Sequence, residues 1–409
     1  MEVIAISSIM NKTVKALLTL IAYIVTKLYS FLIPIKKNRF LFFSMTGNSY
    51  GDSVKSISDY VEKHHNGAEI VWAFSKFYYK TVNCTHKKVV FGSFRYYYYV
   101  ITSKYYITNC FAPLMYIKRK GKKMLQTWHG TALKRIGYDA VSGEHSSVIN
   151  CLRPNTKTAA ANNTDIFMSG SRFMSGVFRT AFKYPNTIYE TGTPRNDIFF
   201  QDRPDIRMKV RKALSINEDH KLILYTPTFR QGGTFEYYDI DLNIVKSYYH
   251  NVTGNNYSVL VRLHPGMAAK SESFESIFGC EVINATLYPD IQELLYVSDI
   301  LITDYSSTMF DFMYSYKPVI MYVPDRETYN RGFYFDINKL PFIISNNNSE
   351  LLEALQKYDE KDYHNRLSLF LKEIGSYETG HATEYAYQLL MSGSFEKIGN
   401  PEICKTENN

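Results

Sequence analysis

Short apolar runs alternate with amphipathic stretches along almost the whole chain after Pro34. Each run has the length of a buried strand, and each stretch that follows has helical spacing of its apolar residues. This alternation is typical of βα units arranged around parallel sheets. The predicted strands of the first half cover residues 39–44, 68–74, 87–90, 105–108, 123–127 and 165–169. Those of the second half cover residues 221–226, 258–262, 281–283, 300–303 and 319–323.

The two series of strands are separated by residues 191–205, which are rich in proline and charge and which we interpret as a linker region. A chain of 409 residues is long enough for more than one domain with its own core. The simplest architecture is therefore an α/β protein with two doubly wound domains that face each other across a cleft. In such sheets, ligands bind at the carboxyl ends of the strands.

The N-terminal segment is apolar over residues 16–33, near the lower length limit for a membrane-spanning helix. Its polar residues recur at helical intervals and would form one narrow stripe opposite a broad apolar face. We therefore expect residues 1–36 to form an amphipathic helix in the membrane interface, where Lys36, Lys37 and Arg39 would meet anionic headgroups. A membrane-spanning helix and an ordinary core helix are the alternatives, and a signal peptide lacks its cleavage site. The polar stripe consists of Lys12, Lys15, Thr19, Thr26 and Ser30.

Charge and cysteine content indicate which kinds of partner the chain binds and in which compartment it works. The chain carries 47 Lys and Arg against 39 Asp and Glu, a net charge of +8 that favours an anionic partner such as phosphate, a nucleotide or a membrane surface. The basic residues are spread along the chain, so a nucleic-acid partner has no further support and we expect none. The five cysteines include no CxxC pair that could start a zinc or redox site, and their pattern fits a reducing cytosol.

Two histidines follow predicted strands. His129 stands beside Gly130, which lets the backbone approach a ligand, and this pair suits a general base next to a phosphate site. Arg262 and His264 lie on the same side of an extended segment that Pro265 ends. A single histidine at a strand end is more often structural, and the second one shifts the interpretation towards chemistry.

Residues 299–311 are the most informative stretch. An apolar strand ends at Thr303, and Ser306 or Ser307 then supplies the N-cap of a helix that carries Asp311 near its start. Free N–H groups and serine hydroxyls at such a helix start could hold a phosphate, whereas a well-capped helix without a ligand is the structural alternative. The phosphate-binding loop of P-loop ATPases, the dinucleotide-binding GxGxxG and the motifs of zincins and serine hydrolases are absent from the sequence.

Several motifs together resemble the CDP-glycerol glycerophosphotransferase family, the teichoic acid primases and polymerases. The resemblance runs in order along about residues 38–390 and implies a GT-B type fold, with two Rossmann-like domains and the CDP-alcohol held mainly by the second. The predicted domains are residues 37–192 and 193–395, followed by a tail over 396–409. The motifs are QTWHGTALKRIGYD at 126–139, TPRND at 193–197, LYTPTFR at 224–230, RLHP at 262–265 and DIQELLYVSDILITDYSSTMFDFMYSYKPVIMY at 290–322.

The resemblance also implies roles for individual residues. His129 would be the catalytic base that deprotonates the acceptor hydroxyl, and His264 would stabilise the pyrophosphate as CMP leaves. Ala132 replaces a proline that family members often have, a departure that affects loop rigidity. No metal ligands and no cofactor are expected, because cationic side chains and helix dipoles would neutralise the charge. The residues predicted to bind substrate are Gly130, Thr131, Leu133, Arg195, Thr228, Arg230, Arg262, Ser306, Ser307, Thr308 and Asp311.

The activity implied is transfer of glycerol phosphate from CDP-glycerol to a hydroxyl of a lipid-linked acceptor, a polyprenyl-diphosphate-linked saccharide or polymer, with release of CMP. We expect a peripheral enzyme on the cytoplasmic face of the cell membrane, and self-association into a homo-oligomer is left open. A GT-B glycosyltransferase that uses a sugar nucleotide, a ribitol-phosphate transferase of the same family and a non-catalytic binding module are the alternatives. The sequence does not distinguish a primase from a polymerase or a capsule enzyme.

Overall fold

A computed structural model describes residues 24, 27–111, 116–140, 161–228, 239–263, 274–279, 281–329 and 332–397. Within this part of the chain, the first sheet has seven parallel strands in the order β3-β2-β1-β4-β5-β6-β7. Chain order reverses between β1 and β4, which is the switch point of a Rossmann-type sheet. The strands are β1 (Lys36–Phe43), β2 (Glu69–Phe74), β3 (Lys87–Val90), β4 (Ser103–Thr108), β5 (Lys123–Gln126), β6 (Ile166–Ser169) and β7 (Ile188–Glu190).

The second sheet repeats this plan. Among the described residues it has six parallel strands in the order β10-β9-β8-β11-β12-β13, so that its switch point lies between β8 and β11. Two separate parallel sheets confirm the predicted α/β architecture. The strands are β8 (Lys221–Thr226), β9 (Tyr257–Val261), β10 (Ile283–Asn284), β11 (Ile300–Thr303), β12 (Val319–Tyr322) and β13 (Ile343–Ser345).

Helices connect the strands, and several start at serines. Ser75, Ser93 and Ser171 each precede a helix and accept a hydrogen bond from a backbone N–H of its first turn. The helices described are α1 (Asp52–His64), α2 (Lys76–Thr81), α3 (Phe94–Thr102), α4 (Arg172–Ala181), α5 (Pro204–Ala213), α6 (Leu242–Thr253), α7 (Phe274–Phe278), α8 (Ile291–Val297), α9 (Thr308–Phe312), α10 (Asn348–Gln356), α11 (Glu360–Ile374) and α12 (Ala382–Met391).

Apolar side chains are buried on both faces of each sheet. In β8, Leu222 and Leu224 belong to one core cluster, whereas Ile223 and Tyr225 belong to another on the opposite face. Successive strand residues point to opposite faces, so a strand covered on both sides needs apolar residues at every position. This requirement explains why the strands read as continuous apolar runs in the sequence.

The strands predicted from the sequence are all present, with small shifts at their ends. Two further strands, Ile188–Glu190 and Ile343–Ser345, were not predicted. Both are short and lie at the edges of their sheets, where a strand pairs on one side only and has less apolar surface to bury. Their sequences therefore lack the long apolar run that marked the central strands.

The last helix among the described residues, α12, returns to the first sheet. In α12, Ala382, Ala386, Leu389 and Leu390 are buried in the core cluster that contains residues of β1, β2 and β4. The Nζ atom of Lys123, at the start of β5, donates to the carbonyls of Leu389 and Leu390 at 3.1 and 2.7 Å. The predicted bounds place residues 382–391 in the second domain, whereas their side chains complete the core of the first.

The predicted interfacial helix over residues 1–36 lies mostly outside the described residues. Residues 27–32 are helical, and Ser30 is fully buried while Leu28, Phe31 and Leu32 are exposed. The prediction that Arg39 meets lipid headgroups is wrong, because its guanidinium is 2% exposed and pairs with Glu69 at 2.8 Å. Among the described residues, no helix has both the length and the apolar character needed to cross a membrane.

Candidate active site

Residues 127–133, which we call the His129 loop, begin where β5 ends, at Gln126. The side-chain carbonyl of Gln126 accepts from the Trp128 N–H at 3.0 Å, while its amide donates to the carbonyl of Cys110 at 2.7 Å. Trp128 is buried in an aromatic cluster and its ring stacks on that of His129, with centroids 4.1 Å apart. The left-handed backbone at Trp128, with φ of 56°, is costly for a non-glycine residue and turns the chain sharply here. The loop is therefore held firmly on its first-domain side.

The segment after His129 is held by the second domain. The carbonyl of Leu133 accepts from the Tyr334 N–H at 2.8 Å, and Arg135 N–H donates to the Gly332 carbonyl at 2.7 Å. The Leu133 side chain is buried in the core cluster of the second domain. Leu133 thus packs between domains, and its predicted contact with the donor stays a prediction.

The surroundings of His129 favour a neutral imidazole. Burial lowers the pKa of His129 below its ordinary value of 6.5, the nearby Asp52 carboxylate opposes this effect and the Arg195 guanidinium adds to it. A neutral ring has a free nitrogen lone pair at physiological pH. His129 is therefore in the protonation state that a general base needs.

The switch point of the second sheet carries hydroxyl and carboxylate groups. Both carboxylate oxygens of Asp304, after β11, accept from the Thr228 N–H at 3.0 and 2.9 Å. The Thr308 hydroxyl donates to Ser306 Oγ at 3.0 Å, and the Thr308 N–H to the same atom at 3.4 Å. Ser307 occupies the N-cap position of α9, but its side chain accepts no capping hydrogen bond. The oxygen that accepts from the first N–H of α9 is therefore Ser306 Oγ. Thr228, Ser306, Ser307 and Thr308 thus lie where the fold places ligands.

Arg195 is paired with carboxylates of both domains. Its Nη1 donates to Asp52 Oδ2 and its Nη2 to Asp311 Oδ2, both at 2.7 Å, and all three side chains are buried. Gln292 Nε2 donates to the same Asp311 oxygen at 3.1 Å. The predicted binding of substrate by Arg195 and Asp311 stays a prediction, and in this structure the two side chains bind each other.

Gly130 connects these groups to the candidate base. It has a φ of 113°, and a Cβ atom at this position would lie 2.2 Å from Arg195 Nη2 and 3.4 Å from Ser307 Oγ. The backbone of Gly130 therefore lies close to the linker and the second domain, and the approach of Arg195 leaves no room for a side chain at this position. Thr131 is half-buried next to it.

Arg262 follows β9, and its side chain lies near the same interface. Its Nη2 donates to the Tyr288 carbonyl at 3.2 Å, while its buried Nε has no partner among the described residues. Burial lowers the pKa of Arg262, and the nearby Asp290 and Tyr78 oppose the shift. The predicted residues Arg230 and His264 lie outside the described residues. The described residues include no group of three His, Cys, Asp or Glu side chains that could hold a metal ion.

Sequence reasoning missed Asp52 and Gln292. The signal for Asp52 was its place in the glycine-bearing loop after β1, directly behind Gly51, where the carboxyl ends of the first-sheet strands lie. That loop is too irregular to count as a motif by itself. Gln292 lies within the motif at 290–322, but its contact with Asp311 forms only in the folded chain, so the sequence did not single it out.

The first part of the segment interpreted as a linker, residues 191–197, is buried and makes many contacts. The segment forms a 3-10 helix over Pro194–Phe200. Asp197 accepts from the N–H groups of Ala382 and Thr383 at 3.0 and 2.7 Å, and so caps α12 from a distant element. Glu378 accepts from the Thr193 N–H at 2.9 Å and from Asn196 Nδ2 at 3.2 Å. Burial raises the pKa of Glu378 to about 8 and that of Asp197 to about 6.

We expect Glu378 to make stability fall as pH rises from about 4.5 to about 8. Its folded-state pKa lies above the ordinary value of 4.5, so its contribution is complete below about pH 4.5 and is lost as pH rises through about 8. Glu378→Gln keeps a neutral side chain and should flatten this loss when melting temperature is measured between about pH 5 and about pH 8. Glu353→Gln, at an exposed position of α10, should follow the wild type. If melting temperature falls equally with pH in Glu378→Gln and in the wild type, Glu378 is not the cause of the loss of stability.

Comparison with known proteins identifies the family. The chain matches the model of the CDP-Glycerol:Poly(glycerophosphate) glycerophosphotransferase family over residues 25–392. The chain belongs to this family. The match confirms the resemblance predicted from the motifs.

Individual members of the glycerophosphotransferase family resemble the chain over most of its length. It is 30% identical over 400 residues to the teichoic acid glycerol-phosphate transferase of Staphylococcus aureus (strain NCTC 8325 / PS 47), covering 93% of this chain and 99% of that protein. It is 30% identical over 380 residues to the teichoic acid poly(glycerol phosphate) polymerase of Bacillus subtilis (strain 168), covering 88% of this chain. The match spans 50% of the length of that polymerase.

The fold of this family member is similar to that of the wall teichoic acid polymerase TagF. The solved TagF structure has a TM-score of 0.75 at 28% identity, covering 87% of this chain and 89% of that one. A histidine-to-asparagine variant of TagF, soaked for 15 minutes with CDPG, gives a TM-score of 0.74. The predicted GT-B type arrangement of two Rossmann-like domains is confirmed by this likeness and by the two sheets.

Proposed function

We propose that this chain transfers glycerol phosphate from CDP-glycerol to a hydroxyl group of a lipid-linked acceptor, and releases CMP, in the synthesis of teichoic acid or a related cell-surface polymer. The observation that carries the proposal is the close packing around Gly130, where a Cβ atom would lie 2.2 Å from Arg195 Nη2 and 3.4 Å from Ser307 Oγ. This packing brings the backbone directly after His129 close to Ser307, at the helix start of the second domain. Family membership and the likeness to a polymerase that was soaked with CDPG support the choice of donor.

In the proposed reaction, His129 acts as general base. A ring nitrogen of His129 accepts the proton of the acceptor hydroxyl while the oxygen attacks the β-phosphorus of CDP-glycerol. A new P–O bond to the acceptor forms, and the bond between the β-phosphorus and the bridging oxygen breaks, so that CMP leaves with the electron pair. The proton on His129 then passes to solvent or to the leaving phosphate, which restores the neutral ring.

The leaving phosphate needs positive charge and hydrogen-bond donors. Ser306, Ser307 and Thr308 offer hydroxyl and N–H groups at the switch point of the second sheet. His264 and Arg230 are assigned to the pyrophosphate through the family motifs and would add to this group. We expect the transfer to need no divalent metal ion.

A direct assay tests the function. Purified protein is incubated with labelled CDP-glycerol and a lipid-linked disaccharide analogue, and CMP release and product mass are followed with and without a chelator. We expect CMP release and a product heavier by one glycerol phosphate, unaffected by the chelator. Faster turnover with CDP-ribitol or with a sugar nucleotide would replace the proposed donor. Binding without turnover of any of these donors would favour a non-catalytic module.

We also propose that the enzyme is peripheral to the membrane and lies on its cytoplasmic side. The described end of the N-terminal helix supports this, because Ser30 of the polar stripe faces the protein while Phe31 and Leu32, 71% and 79% exposed, face away from it. The Ile33 carbonyl accepts from Arg119 Nη1 at 2.9 Å, which fixes this orientation against the first domain. An apolar face held outward in this way suits the boundary between headgroups and acyl chains.

Removing residues 1–34 should release the protein from membranes. The truncated chain loses the apolar face and should move from the membrane pellet to the soluble fraction on centrifugation, whereas the full chain should sediment with vesicles that contain anionic lipid. Phe31→Ser together with Leu32→Ser should weaken sedimentation in the same direction. Unchanged sedimentation of the truncated chain would place membrane attachment on another surface.

A further inference from the structure

Asp52 begins α1 in a costly conformation. Its φ is 67°, in the left-handed region, although it has a side chain, and its carboxylate is 9% exposed. Oδ1 accepts from the N–H of Ser53 at 2.6 Å, while Oδ2 accepts from Arg195. A strained backbone and a buried charge each cost free energy, and they persist together only where the surrounding structure determines them.

The partner of Asp52 connects three parts of the molecule. Arg195 lies on the 3-10 helix between the domains, and its guanidinium joins Asp52 of the first domain to Asp311 of the second. Its backbone N–H also donates to Ser53 Oγ at 3.3 Å, so that α1 holds both ends of this residue. Without Asp52, the guanidinium would keep Asp311 as its charged partner and could rotate towards the second domain.

The Arg195 guanidinium also packs against the backbone next to His129, the candidate base. The close approach of Arg195 Nη2 to Gly130 fixes the backbone directly after His129. Asp52 acts on His129 through charge as well, because its carboxylate favours the protonated ring whereas Arg195 disfavours it. The same carboxylate thus influences both the position and the basicity of the imidazole.

We propose that Asp52 is a positioning residue of the transfer reaction: by holding Arg195 against Gly130, it fixes the His129 loop opposite the Ser306–Thr308 segment. Asp52 itself touches neither donor nor acceptor. The inference rests on the proposed function for its kinetic consequence, and on the geometry of the described residues for its structural one.

Loss of the Asp52 charge should affect catalysis more than donor binding. Asp52→Asn keeps the size of the side chain and should lower kcat by on the order of 10- to 100-fold, since a small misplacement of a catalytic group has effects of this size. KM for CDP-glycerol should change by no more than about twofold, because no donor contact is lost. The acidic limb of the pH profile of kcat/KM should move to lower pH. The pKa of His129 should fall, because the negative charge that favours the protonated ring is gone while Arg195 and Asp311 remain.

Two variants separate the effect of the lost carboxylate from backbone strain and from a general effect of removing a charge from α1. Asp52→Gly removes the carboxylate but suits the left-handed backbone, so it should fold at least as well as Asp52→Asn and lose kcat to a similar extent. Asp59→Asn removes a carboxylate from the exposed face of the same helix, where it pairs with Lys55, and should behave as wild type. Restored kcat in Asp52→Gly would mean that backbone strain, and not the carboxylate, explains the effect, and would overturn the proposal.

A measurement on the histidine ring separates this inference from the proposed function. The pKa of His129 is followed by NMR titration, and amide hydrogen exchange of residues 127–133 is followed by mass spectrometry, in wild type and in Asp52→Asn. We expect a lower pKa and faster exchange in the variant, whether or not CDP-glycerol is turned over. A wild-type enzyme inactive with CDP-glycerol would refute the function while these changes still support the positioning role. Unchanged titration and exchange, or a raised KM with unchanged kcat, would overturn the role of Asp52.

Discussion

Replacing His129 by alanine is expected to lower kcat for glycerol phosphate transfer by about 10²–10⁴-fold, the range typical of a lost general base. The variant should still bind CDP-glycerol, because the Ser306–Thr308 segment at the switch point of the second sheet remains. Steady-state CMP release measures the loss of kcat, and calorimetry measures whether CDP-glycerol still binds.

The control for this prediction is His64→Ala on the exposed side of α1. His64 stacks on Tyr60, with ring centroids 3.9 Å apart, and has no contact with the His129 loop, so kcat should remain that of wild type. Added imidazole should recover part of the activity of His129→Ala, since the missing side chain leaves room for a small base beside Trp128. Transfer at nearly the wild-type rate in His129→Ala would remove the general-base step from the mechanism.

Replacing Arg195 by alanine is expected to lower the free energy of unfolding by about 3–5 kcal/mol, because it leaves the buried carboxylates of Asp52 and Asp311 without their counter-charge. The two carboxylates would then repel each other across the space that the guanidinium filled. Urea denaturation followed by circular dichroism measures the loss, and the transition should also broaden, since Arg195 joins the two domains.

Two further variants test the cause. Arg203→Ala removes an exposed arginine that pairs with Asp205, and should change the free energy of unfolding by no more than about 1 kcal/mol. Neutralising both acids, with Asp52→Asn and Asp311→Asn in the Arg195→Ala background, should recover part of the lost stability. If Arg195→Ala is as stable as Arg203→Ala, the buried ion pairs do not stabilise the fold.

The central strands could be predicted because their physical requirement is local. A strand covered by helices on both faces must be apolar at successive positions, as β8 and β11 are, and the sequence alone displays that run. The polar residues directly after such strands, His129 and Thr303 to Asp304, were found by the same logic. The identity of the family came from motifs at these strand ends.

The contacts of the site could not be predicted, because they join residues far apart in the sequence. Arg195 pairs with Asp52 and with Asp311, and neither partner is near it in the chain. The proline and charge of residues 191–205 are typical of an exposed linker, but here Arg195 and Asp197 are buried, and only Asp202, Arg203 and Asp205 fit that expectation. Arg39 was misplaced for the same reason, since Glu69, its partner, is brought to it only by the pairing of β1 with β2.

The return of α12 to the first sheet sets an order on folding during synthesis. Domains of a growing chain usually fold one after another from the N-terminus. Here the first core lacks Ala382, Ala386, Leu389 and Leu390 until the second domain has left the ribosome, so a gap in this core stays open while the second domain is made. A chain that stops after α11 would keep that apolar surface exposed, and such incomplete products should be prone to aggregation and proteolysis.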